Sequence, residues 1–66
     1  MKNSLRVARA KADMTQAQLA EQIGVSRQTI NAVEAGKYVP STVLALKMAV
    51  VLRAQVEELF TLEEGD

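Results

Sequence analysis

Apolar residues recur at helical spacing through most of the chain, and turn-forming residues separate the runs. Leu5, Ala8 and Ala12 share one face of a first helix expected over about residues 4–12. Asp13 closes it, because Asp is among the few non-glycine residues that visit left-handed backbone angles, and Met14 then packs inward. Leu19, Ala20 and Ile23 line a second helix over 16–23, and Ile30 and Val33 a third over 27–35. A fourth helix over 42–53 follows Ser41, a short fifth covers 56–60, and residues 61–66 form a tail. The segment Leu59-Phe60-Thr61-Leu62 can pair as a short strand with its mate in a second copy; no other strand is expected. The pattern therefore predicts a compact all-α, five-helix fold, with residues 1–66 as one domain. Its aliphatic core draws on Leu5, Met14, Leu19, Ala20, Ile23, Val25, Ile30, Val33, Leu44, Met48, Ala49, Leu52, Val56 and Leu59, with the methionines as gap-fillers.

The second and third helices are joined by unusually specific punctuation. Thr15 and Gln18 have the spacing of a capping box. Gly24 stands where a left-handed residue ends a helix, Val25 plugs the corner, and Ser26 can accept an orphan N–H of the next helix. Ala20 must be small because the two helices cross closely there. Gly36 ends the third helix and Pro40 blocks its continuation. Each signal alone fits any helical hairpin. Their conjunction fits a helix-turn-helix, whose second helix is shaped for the DNA major groove.

Charge sharpens this reading. The net charge is zero, but residues 1–53 carry all eight bases against Asp13, Glu21 and Glu34, a balance of +5. Residues 54–66 hold only acids: Glu57, Glu58, Glu63, Glu64 and Asp66. The basic part can meet phosphates while the acidic end faces elsewhere, either in a specific role or as a solubilising tail. A chain of 66 residues without cysteine has no disulfide or thiolate–metal staple, so dimerisation is the common remaining way to add buried apolar area. No secretory signal is visible near Leu5-Arg6-Val7-Ala8-Arg9, and Lys47 interrupts an apolar run, Val43 to Leu52, that is too short for a bilayer. A soluble protein of the cytoplasm, associated with the nucleoid and without membrane contact, is expected.

Taken together, Arg9, Thr15-Gln16-xx-Leu19-Ala20-xxx-Gly24-Val25-Ser26-xxx-Ile30-xxx-Glu34-x-Gly36 and Pro40-Ser41 resemble the phage-repressor and Cro-like helix-turn-helix family, the XRE type. The resemblance covers about residues 3–60 and implies a lambda-repressor-like fold. It also implies a transcriptional regulator that binds double-stranded DNA, commonly as a dimer, without metal or cofactor. No small-molecule effector is evident. Carried over residue by residue, it places Arg27, Gln28 and Asn31 at base edges, and Gln16, Ser26, Thr29 and Lys37 at the backbone. Chemistry agrees for two of these, since Arg pairs with guanine O6 and N7 and Gln with adenine N6 and N7. Arg9 and Glu34 resemble a structural ion pair tying the first helix to the third.

Three departures from the family pattern matter. Ala32 replaces a long polar side chain and offers only a methyl contact. Arg53 and Gln55 replace the glycine and the small cap between the last two helices, which makes that junction either more continuous or less well capped. Val43, Leu46, Val50 and Ala54 form an apolar stripe on the fourth helix, either part of the core or, with Phe60 and Leu62, a dimer or partner surface.

Enzymatic chemistry is not expected. The chain has no His or Cys, and the adjacent Glu57 and Glu58 lie about 100° apart around a helix, not face to face. The readings that remain are a dimeric DNA-binding regulator, probing an inverted-repeat operator with the third helix as a repressor would, and an antitoxin or protein-interaction module using the apolar stripe.

Overall fold

A computed structural model describes all 66 residues. The order of elements is β1 (Lys2–Asn3), α1 (Leu5–Lys11), α2 (Gln16–Ile23), α3 (Arg27–Glu34), α4 (Thr42–Leu52), α5 (Val56–Leu59) and β2 (Phe60–Thr61). The five expected helices are present, and no helix is long and apolar enough to cross a membrane.

Local chemistry sets the ends of the helices. The Thr15 hydroxyl accepts the Gln18 N–H at 3.0 Å, and the Gln18 side chain accepts the Thr15 N–H at 2.9 Å, a complete capping box on α2. Ser26 Oγ accepts the Thr29 N–H at 3.2 Å and Ser41 Oγ the Leu44 N–H at 3.1 Å, so α3 and α4 start the same way. The helices α1 to α4 also share one ending. A residue at positive φ is followed by an N–H that reaches back five residues: Met14 to Arg9 O, Val25 to Ala20 O, Lys37 to Ala32 O and Ala54 to Ala49 O, at 2.9–3.0 Å. The turning residues are Asp13 (φ 55°), Gly24 (77°), Gly36 (74°) and Arg53 (53°).

Arg53 settles the junction that its sequence leaves open. The chain does not run on as one helix. It breaks at Arg53, and α5 then restarts with the Glu58 carboxylate on the Gln55 N–H at 3.1 Å. A left-handed backbone costs a side-chain-bearing residue about 1–2 kcal/mol, which glycine avoids. Part of that gain is offset because glycine loosens the unfolded chain. Arg53→Gly should therefore raise stability by about 0.5–1 kcal/mol. The expected result is a higher urea midpoint at unchanged m-value; a lower midpoint would contradict the strain at this turn.

The core matches the helical pattern, with Phe60 added to it. Leu5, Leu19, Ala20, Ile23, Ile30, Val33, Leu44, Met48, Ala49, Leu52 and Leu59 are buried, and Met14, Val25 and Val56 are half-buried against them. Phe60, expected on a partner surface and at the end of the fifth helix, is instead buried in this core and lies in β2. The reason is an intramolecular strand pair. β1 and β2 run antiparallel with Lys2 opposite Thr61 and Asn3 opposite Phe60, so the tail strand has a partner within its own chain. The Ser4 N–H on Leu59 O (2.9 Å) and the Ser4 hydroxyl on Glu58 O (2.7 Å) continue the zipper. Side chains alternate along a strand, so this register turns Phe60 inward and Thr61 outward. Ala54, also assigned to that surface, packs half-buried against the core because Arg53 has already turned the chain.

Candidate nucleic-acid interface

α3 packs Ile30 and Val33 against α2 and the core, which leaves its opposite face in solvent. Arg27, Gln28 and Asn31 are exposed and line a shallow recess of about 230 Å³ with no other residue in its wall. Their side chains have no protein hydrogen-bond partner, so their donors and acceptors are free for an outside ligand. Ala32 is half-buried and lies outside that recess. At the N-terminus of α3, the Ser26 and Thr29 hydroxyls share a 3.0 Å hydrogen bond that holds both beside the exposed first turn. Lys37 follows the Gly36 turn, exposed, and Tyr38 and Val39 continue that loop with large exposed side chains.

Gln16, at the start of α2, shares a polar cleft with Asn31 and Glu34. Its amide donates to Glu34 Oε1 at 3.1 Å, which orients the side chain and leaves its second N–H unused. Glu34 is the hub of this corner. The Arg9 guanidinium donates to it through Nε (2.7 Å to Oε2) and an Nη (3.2 Å to Oε1), a bidentate pair joining α1 to the end of α3. The third Arg9 contact, 2.8 Å to Met14 O, ties the same guanidinium to the α1–α2 turn. Only 5% of the Glu34 side chain and 15% of that of Arg9 is exposed. Burial alone would push the Glu34 carboxyl up. The Arg9 and Gln16 hydrogen bonds, with the positive charges of Arg9 and Arg6, outweigh that and hold it below its ordinary value.

The consequence for stability follows in sign. A depressed carboxyl contributes stability above its unfolded-state value of 4.5, and that contribution is lost as pH falls through the lower folded value. Glu34→Ala leaves Arg9 without its partner and should cost about 2–3 kcal/mol at neutral pH, against under about 0.5 kcal/mol for the exposed Glu63→Ala. Glu34→Gln should lose less stability than wild type between about pH 5 and pH 3. Equal melting temperatures for Glu34→Ala and Glu63→Ala, or parallel acid profiles, would sink this account of the pair.

The apolar stripe of α4 divides into two parts. Val43, Leu46 and Val50 are 63%, 52% and 78% exposed and stand together along a groove of about 580 Å³ between α4 and the end of α2. Glu21, Gln22 and Lys47 supply polar groups to the same groove. Ala54, Phe60 and Leu62 do not join it: the first two pack in or against the core, and Leu62 is exposed in the tail.

An exposed polar face on the second helix of a capped helix-turn-helix defines a DNA-reading module, and comparison with known proteins gives its class. A helix-turn-helix family model matches residues 5–59, and the chain belongs to this family, the XRE-like DNA-binding transcriptional regulators. It is 47% identical over 66 residues to an uncharacterized HTH-type transcriptional regulator of Methanocaldococcus jannaschii, covering all of both chains. It is 45% identical over 64 residues to an uncharacterized HTH-type transcriptional regulator of Bacillus subtilis, covering 97% of each. Among solved structures it resembles the restriction-modification controller protein C.AhdI from Aeromonas hydrophila, with 36% identity, a TM-score of 0.78 and 85% of each chain covered. A hypothetical transcription factor from Neisseria is also similar, with 28% identity and a TM-score of 0.76 over 82% of this chain and 61% of that one.

Proposed function

We propose that this protein is a transcriptional repressor that binds an inverted-repeat operator as a homodimer, with α3 of each protomer in the major groove. The observation that carries the reading is the recess of Arg27, Gln28 and Asn31, free side chains of the type that pair with base edges, on the exposed face of a capped recognition helix. Ser26, Thr29 and Lys37, with the free amide hydrogen of Gln16, are the proposed backbone contacts that set this helix in register. Two half-sites then lie about one helical turn apart, roughly 34 Å centre to centre. The likeness to a restriction-modification controller protein is in keeping with a regulatory role. The protomers meet through Val43, Leu46 and Val50, the apolar face that a lone chain leaves in water.

The same face favours a second reading, an interaction module or antitoxin whose ligand is a protein. Salt separates the two. Titration of a fluorescent duplex at rising salt should give a steep linear fall of log affinity against log salt, because each neutralised phosphate releases counterions. Absence of duplex binding at low salt would give the interaction module the lead.

A further inference from the structure

Arg6 lies on the rim of the polar cleft that holds Gln16, Asn31 and Glu34. Its side chain is 82% exposed, and its Nε stops 3.9 Å from Glu34 Oε1, beyond hydrogen-bonding distance. It has no other partner. The acceptor it approaches is already served: Arg9 takes both Glu34 oxygens and Gln16 a further contact on Oε1. The other polar side chains of the rim beside Arg6 are also committed: Asn3 donates to Val33 O at 2.9 Å and accepts the Leu5 N–H at 3.1 Å, and the Ser4 hydroxyl donates to Glu58 O at 2.7 Å. Within this cleft, then, Arg6 is the cation whose donors are unspent. It stands beside two residues of the proposed DNA face, at the opposite end of that face from Arg27 and Ser26.

We infer that Arg6 is a phosphate-binding residue: on docking, its guanidinium leaves the vicinity of Glu34 and takes a phosphate oxygen of the strand that passes Gln16 and Asn31. The surplus around Glu34 makes the move inexpensive, because the buried carboxylate keeps Arg9 and Gln16 when Arg6 departs. An Arg fits the role, since its planar fork presents paired donors to phosphate. The inference rests on the DNA-binding reading above and adds a contact from α1, outside the helix-turn-helix.

The test compares wild type with Arg6→Gln and with Lys11→Gln, a control that removes an exposed charge from α1 on the far side, by a groove beside Arg53 and Glu58. Affinity is measured by anisotropy across a salt series, on a duplex selected by the wild-type protein and on a scrambled duplex of equal composition. Arg6→Gln should lower the log–log salt slope by about 1.8, one phosphate's worth for each protomer of the bound dimer, and weaken both duplexes by a similar factor, with an unchanged melting temperature. Lys11→Gln should leave the slope as in wild type. An unchanged slope in Arg6→Gln, or an equal fall in both variants, overturns the contact. Failure of the wild type to bind either duplex is a different result and overturns the DNA-binding reading itself.

Discussion

An Arg27→Ala/Gln28→Ala variant is expected to lose at least about 10³-fold in affinity for the wild-type operator while folding as well as wild type. The size follows from chemistry at base edges: a good bidentate pair discriminates by about 1–3 kcal/mol, and each protomer of the dimer loses two such pairs. The folding claim follows from exposure. Both side chains project from α3 without a protein partner, and truncating such residues usually changes stability by about 0.5 kcal/mol or less. Affinity for a scrambled duplex should fall much less, because Gln16, Ser26, Thr29, Lys37 and Arg6 remain to meet the backbone. The half-buried Ala32 adds little to compensate, since a methyl group at that position reads little by itself, and only Asn31 remains on α3 to meet a base edge. The checks are binding isotherms on both duplexes and a thermal melt. Retained discrimination with the melt unchanged would place sequence readout elsewhere in the protein.

The second large effect is expected at Val50. In a symmetric dimer through the α4 groove, Val50→Glu sets a carboxylate in an apolar contact on both sides of the two-fold axis. Burying unpaired charge is costly, and we expect a penalty of about 3 kcal/mol, or roughly a hundredfold weaker dimerisation. The monomer should tolerate the change, since Val50 is 78% exposed. Val43, Leu46 and Val50 alone cannot make an interface of the usual size, about 800 Å² per partner. The polar rim of Glu21, Gln22 and Lys47 would extend it, with opposite charges available to cross the two-fold axis. Sedimentation velocity over a concentration series reads the outcome. The variant should sediment as a monomer where wild type is a dimer; superimposable profiles would remove this face as the interface.

Much of the architecture is local in origin and was legible in the sequence for that reason. Thr15, Gln18, Gly24, Ser26 and Gly36 act within one or two turns of where they stand, so their types and spacing define α2, the turn and α3. Asp13 similarly marks the end of α1. What stayed hidden depends on residues far apart. The pairing of Lys2–Asn3 with Phe60–Thr61 joins the two ends of the chain through strands of two residues each, too short to display an alternating pattern. Without that register, Phe60 reads as an exposed anchor when it is core. The apolar stripe has the same difficulty: helical spacing groups Ala54 with Val43, Leu46 and Val50, but the left-handed turn at Arg53 takes it off the helix. At the site, the resemblance to the family picks out Arg27 and Gln28, and residue type agrees, whereas the donor surplus around Glu34 that singles out Arg6 exists only once α1, α2 and α3 are assembled.

The most direct test of the central claim is selection from a random duplex library at moderate salt, run in parallel with the Arg27→Ala/Gln28→Ala variant. Sequence-specific reading by α3 of a homodimer predicts that wild type enriches an inverted repeat with half-site centres about one helical turn apart, and that the variant does not. A wild-type pool that shows no enrichment above non-specific binding would contradict that claim.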